Sequence, residues 1–227
     1  MFEVTSAWKS AFPEAHAGVL VMLDVVNPAH HPELEKHKTE LEEQLRSQFS
    51  GQDRAAISSL PILQAYNTYY RRFKKTYHVQ LQLESIVWKG KSIPSVSALV
   101  EAMFMAEMKN MLLTAGHDLD ALHLPLTLDV SNGTESYQLM RGDEQVLKAD
   151  DMMISDKAGI ISNIIYGPDQ RTQITDGTRN VVFTVYAPAG INEQTVTQHL
   201  QDIQEYVMLI APQSQVELVK VYGWAIY

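Results

Sequence analysis

The chain has 227 residues, 45% of them apolar and 20% charged, an ordinary globular composition with length enough to bury a sizeable core. It has no cysteine, which excludes disulfides, zinc ribbons and thiol nucleophiles. Its 18 Lys+Arg against 27 Asp+Glu give a net charge of −9, which weighs against tight autonomous binding of nucleic acid, because phosphate contacts call for a basic surface.

The first residues carry no basic stretch followed by an apolar one, so they do not read as a signal peptide. The longest apolar runs, such as Gly18 to Leu23, are too short to span a bilayer. A soluble, cytoplasmic protein without a membrane partner is expected. Val19 to Val25 is a near-continuous apolar run and reads as a buried strand. After Pro28, residues 31–49 form an amphipathic helix with Leu34, Leu41, Leu45 and Phe49 on one face, and Gly51 stops it. Pro61 opens a second helix through ILQAYNTYYRRFKK. A short helix at about Leu81 to Lys89 follows, with Gly90 just past its end. Pro94 and Ser95 start SVSALVEAMFMAEMKNMLL, apolar nearly all round and therefore a buried central helix.

The pattern changes near Pro125. LTLDV alternates, and Asn132-Gly133 reads as a hairpin turn. SYQLM, the turn RGDE, QVLKA, a turn at residues 157–159, IISNIIY, a polar loop and VVFTVYA continue the run of short strands. Asn192 caps a last helix, flanked by Ile191 and Val196 as a hydrophobic staple. Val196, Leu200, Ile203, Val207 and Ile210 are its apolar stripe, and Val216 to Val221 closes as a strand. Helices first, then strands, then helix and strand is an α+β arrangement. The switch near Gly116 lacks the composition of a linker, so residues 1–227 are expected to form one domain.

Three polar constellations stand out. Tyr69 to His78 interleaves rings with Arg71, Arg72, Lys74, Lys75 and Tyr77, which suits a single-stranded nucleic acid or a tRNA end. The same pattern suits an amphipathic helix whose rings are core and whose charges are solvated. His117 and Asp118 in GHDLDAL could do acid–base work or cap a turn. The loop YGPDQRTQITDGT places Asp169, Thr172, Thr175 and Thr178 between two strands, where they could line a pocket for a polar ligand or make a plain surface connection. His30, His31 and His37 lack the i, i+4 spacing of a helical metal site, so no metal is expected. Nothing reads as a Walker loop, a Rossmann glycine pattern or a GxSxG elbow.

The order of ILQAYNTYYRRFKK, LQLESIVWKGKSIPSVSALVEAM, GHDLDAL and QITDGTRNVVFTVYAP resembles the B3/B4 domain of the phenylalanyl-tRNA synthetase beta subunit, and most of all its stand-alone forms. The likeness runs from about residue 55 to 190. It implies helices packed on short, mostly antiparallel strands around a central cavity. It also implies a role with RNA or aminoacyl-tRNA: a trans-acting deacylase of mischarged tRNA, or a non-catalytic module that kept the fold and binds an amino-acid-like molecule or a protein. On this reading Asp169 is the catalytic candidate. His117, Asp118, Thr172, Thr175 and Thr178 bind substrate, and Arg71, Arg72, Lys74, Lys75 and Tyr77 meet RNA. No cofactor is implied. The chain departs from the family pattern where Ala115 occupies the position of the synthetase's catalytic-site His and Phe104 that of its Asn. It is too short to hold an aminoacylation module, so a ligase is not expected.

Overall fold

Apolar runs without alternation become strands covered on both faces, and two of them build the centre of the computed structural model, which describes residues 1–223. The chain begins with β1 (Phe2–Val4), α1 (Ser6–Ala11) and β2 (His16–Leu23). A helical stretch follows: α2 (Pro32–Gln48), α3 (Arg54–Ser58), α4 (Pro61–Arg72), α5 (His78–Lys89) and α6 (Ala98–Asn110). Then come β3 (Leu113–Asp118), a 3-10 turn at Leu119–Ala121, β4 (Leu126–Val130), β5 (Ser136–Gln138) and β6 (Glu144–Val146). The chain continues through β7 (Met152–Asp156), β8 (Gly159–Asn163), β9 (Gly167–Pro168), β10 (Val181–Ala187), α7 (Glu193–Ile210) and β11 (Gln215–Gly223).

The strands form an antiparallel sheet in the order β11-β2-β10-β3, a second sheet β1-β4-β7-β8-β9 and the separate hairpin β5-β6. In the second sheet only the β1–β4 pair is parallel. The mixed α+β arrangement is as the element order implies. Every residue of β10 is buried, and Val185 and Phe183 join one continuous apolar cluster with Trp8, Leu34, Leu99 and Ile203. Helix α7 presses on the first sheet at Gly18, where a Cβ would come within 2.7 Å of Val196 Cγ1. Its start is fixed by Asn192, whose side chain accepts from Thr195 N at 2.8 Å.

Helix α4 ties the two sheets together through its rings. Tyr66 stacks on Tyr77 with centroids 4.1 Å apart, donates to Tyr186 O in β10 and accepts from Leu113 N of β3 at 2.9 Å. Tyr70 donates to Ile164 O at 2.7 Å, and Tyr69 to Asp151 Oδ1 at 2.7 Å beside β7. The buried hydroxyls all find acceptors, as an apolar interior requires. Among the described residues no helix is long and apolar enough to cross a membrane.

Three expectations are corrected. The central helix does not run on to Leu113: Met111 takes φ 59, and β3 follows, paired with β10. LTAGHD carries little strand propensity, so pairing and burial decide its conformation. Asn132-Gly133 is not a strand-to-strand hairpin, because β4 pairs with β1 and β7 while β5 pairs with β6. The Glu135 carboxylate instead collects the N–H groups of Asn132, Gly133 and Thr134. Tyr77 does not face a nucleic acid: its ring is fully buried and its hydroxyl donates to Met111 O at 3.0 Å. The hydrophobic face of the stretch won that ring for the core.

Candidate functional site

A cavity of about 510 Å³ opens between α5 and α6 on one side and β3, β8 and β9 on the other. Helix α6 supplies Val100, Met103, Phe104 and Glu107; β3 supplies Leu113 to Gly116. Asn163, Ile165 and Tyr166 come from the end of β8 and the turn after it, and Gly167 and Pro168 from β9. Gln173 and Ile174 close the wall from the loop that follows. His78, Val96 and Met140 are solvent-exposed and form the mouth. Gly116 sets how near the walls can come. A Cβ there would meet Ile174 Cδ1 at 2.7 Å and Met103 Sδ at 3.3 Å. An apolar chamber with a few polar groups is the usual form of a small-molecule site.

The polar loop residues singled out in the sequence are brought together, but behind the wall and not on it. Thr172, fully buried, donates its hydroxyl proton to Asp169 Oδ1. Its oxygen therefore accepts from His117 Nδ1, 2.7 Å away. Burial holds the His117 imidazole neutral, with its pKa pushed down to about 3, and Nε2 has no partner among the described residues. Burial raises the Asp169 carboxyl against the pull of the Thr172 hydrogen bonds and of Arg171. A second network holds the other three. Thr178 donates to Asp118 Oδ2 at 2.7 Å and accepts from Thr175 N at 2.9 Å. Asp118 N also donates to Thr172 O at 2.8 Å, so both networks clamp the loop to the end of β3. The cavity is lined instead by their chain neighbours, Ala115, Gly116, Gly167, Pro168, Gln173 and Ile174. Phe104 and Ala115, which the resemblance matches to the synthetase's Asn and His, do stand on the wall.

Composition and spacing did not single out Glu107 and Thr114. Glu107 is 2% exposed, and its Oε1 accepts from Thr114 N at 2.8 Å. Burial pushes its pKa up to about 8, so it is mostly protonated at neutral pH. Thr114 Oγ1 lies 2.7 Å from His199 Nε2, and His199 Nδ1 faces Asn110, which donates to Asp202. Burial lowers the His199 pKa to about 4. A signal for Glu107 was present: an acid in a helix apolar all round must be paired, protonated or functional.

The basic residues lie on the outside of α4 and just past it. Arg71, Arg72, Lys74 and Lys75 are exposed. Arg72 is held by rings, 5.1 Å above Tyr69 and 5.4 Å from Phe73, and donates to Asp150 O. Lys75 Nζ sits 5.6 Å from the ring centroid of Tyr166, which belongs to the cavity wall. Arg71 and Lys75 also flank a shallow groove of about 300 Å³ with Arg54 and Asn67. The basic strip thus ends at the cavity.

A family model described as the B3/4 domain matches residues 63–206, from α4 into α7. No curated protein matches the chain in sequence. Among solved structures, an N-terminal fragment of the phenylalanyl-tRNA synthetase beta subunit from Pyrococcus horikoshii matches 97% of this chain at 12% identity and a TM-score of 0.48. The match takes in 50% of that fragment, so the chain spans about half its length.

Proposed function

The chain belongs to the B3/4 domain family, and on that premise we propose that its cavity receives the aminoacyl end of a tRNA. The observation that carries this reading is the junction of two unlike surfaces at Tyr166. Tyr166 lines an apolar cavity of about 510 Å³, and over its ring stands Lys75, the end of the exposed basic strip. An apolar chamber accepts an amino-acid side chain, and cations beside it meet phosphates of the strand that carries it. Lys74, Lys75 over its ring, and the terminal N–H groups of Arg71, whose Nε donates to Asn67 O, are exposed and can do so. Arg72 is committed to its rings and adds charge without reach. The whole chain, residues 1–227, acts as one unit in this reading. The net charge of −9 makes the affinity local to that strip and strongly salt-dependent.

A second reading, binding without hydrolysis, is favoured by one feature of the wall. Phe104 and Ala115 put apolar side chains into the cavity, while the carboxylate of Asp169 is turned into Thr172 behind it. An editing role for Asp169 requires that hydrogen bond to open, with Thr172, Thr175 and Thr178 shifting with it. Two assays on one preparation separate the readings. Melting temperature is measured with 3′-aminoacyl-adenosine analogues joined by a stable amide, and release of free amino acid is followed from a panel of mischarged tRNAs. A thermal shift with no release above the buffer rate supports binding alone, and release supports the deacylase. Absence of both rejects the proposed function.

A further inference from the structure

Glu107 is the one carboxyl on the cavity wall, and it has no cation of its own. Among the described residues no Lys, Arg or His forms an ion pair with it. Its only described hydrogen bond, from Thr114 N, occupies Oε1. The other buried acid of α6, Glu101, is closed off by Lys38 at 3.0 Å and stands away from the cavity. The titratable groups around Glu107 supply no fixed positive charge. Tyr66 and Tyr70 from α4 and Tyr77 before α5 are buried phenols with raised pKa values, and His199 from α7 is held neutral by burial. His78 of α5 stands at the mouth, exposed to solvent. Apart from His78 the rest of the cavity wall is neutral or apolar, Gln82, Met103, Phe104, Ile165 and Ile174 among it.

Resting on the pocket reading above, we propose that Glu107 is the seat for the ligand's ammonium group, so that the cavity selects primary amines carrying an apolar side chain. A buried carboxyl without a counter-ion gains most from a ligand that brings the charge and excludes water as it binds. The apolar walls take the side chain, and Thr114 N holds the carboxyl in place from behind. Empty, the site keeps Glu107 protonated, as its pKa of about 8 requires. An ammonium ion that docks there displaces that proton to solvent.

Phenylalaninamide and 3-phenylpropanamide differ only in the amino group and are the probes. Isothermal titration at pH 6.5, where the amine is charged, is run on the wild-type chain and on Glu107→Gln, which keeps an acceptor for Thr114 N. The wild type is expected to bind the amine roughly ten- to a hundredfold more tightly, the range of a buried charge-assisted hydrogen bond. Glu107→Gln is expected to abolish that preference and leave the deamino compound's affinity unchanged. Titration of the wild type in buffers of different ionisation enthalpy should show a proton released with the amine and none with the deamino compound, a readout that needs no variant. Equal wild-type affinity for the two compounds overturns the role of Glu107 while leaving the pocket intact. Binding of neither overturns the pocket and this role together.

Discussion

Helix α6 buries two acids and treats them oppositely. Glu101, near its start, is 3% exposed and meets Lys38 Nζ at 3.0 Å; Lys38 also reaches Glu35 and Ser95. Burial alone would lower the Lys38 pKa, but its hydrogen bonds to Glu35 and Glu101 outweigh this and hold it above the usual lysine range. Glu107, near the other end, is as deeply buried and has only a backbone N–H. One end of the helix is thus complete within the fold, and the other is left open on a cavity. Buried polar groups are normally satisfied, so the end that departs from the rule is where function is to be sought.

The largest expected effect lies at the complete end. Lys38→Met leaves Glu101 buried without its cation, and chemical denaturation at pH 7 should show a loss of about 3–5 kcal/mol. A loss under about 1 kcal/mol would mean that the pair is solvated. The open end should instead declare itself through pH. Glu107 binds its proton more tightly folded than unfolded, so its contribution is full below about pH 4.5 and is lost as pH rises through about 8. Asp151, raised to about 7 by burial, acts in the same direction. His117 and His199 act in the opposite one: held neutral when folded, they contribute above about pH 6.5, and this is lost as pH falls through about 4 for His199 and about 3 for His117. Glu107→Gln should remove on the order of 3 kcal/mol of the acid-driven decline between pH 5 and 8, leaving the Asp151 decline set against the opposite rise from His117 and His199. Identical pH profiles for the two proteins would show that Glu107 is solvated.

The networks behind the wall come next in size. Thr172→Val strands His117 Nδ1 and leaves Asp169 with only the residue 172 N–H and the more distant Arg171, at a cost of about 2 kcal/mol. If Asp169 serves only to hold the wall, the same change lowers melting temperature without changing affinity for a ligand already bound in the cavity. A smaller effect is expected at Gly116→Ala, where the added Cβ presses on Ile174 Cδ1 at 2.7 Å. Stability should fall by about 1 kcal/mol, with ligand affinity lost disproportionately because the cavity narrows there. Least costly of all is Lys74→Ala with Lys75→Ala, expected to change stability by less than about 0.5 kcal/mol. The same pair should weaken tRNA retention and reduce its salt dependence.

Much of this fold was legible in the sequence because burial leaves periodic marks. The continuous apolar runs gave β2 and β10, the stripe from Val196 to Ile210 gave α7, and Asn192 and Gly90 marked ends that the caps confirm. β3 was not legible, since Thr114, Ala115 and Gly116 are small residues whose strand conformation comes from pairing with β10. At the site the loop residues did converge, but composition cannot say on which side of a wall a hydroxyl ends. Thr172 and Thr178 are fully buried and serve to anchor the loop. The rings of the basic-aromatic stretch show the same limit: Tyr66, Tyr70 and Tyr77 are core, while the cations stay at the surface with Thr76 and His78. Glu107 stood in plain view as one of two acids in an apolar helix, and nothing local distinguished it from Glu101, whose partner comes from the distant Lys38 of α2.

The assignment of the cavity to an aminoacyl end is tested most directly by the affinity of the wild-type chain for one tRNA in two states, uncharged and carrying an apolar amino acid through a non-hydrolysable 3′-amide. On the proposed reading the basic strip meets both alike, so only the cavity can tell them apart. The aminoacylated form should bind about tenfold or more tightly at equal salt. Equal affinity for the two forms would contradict it.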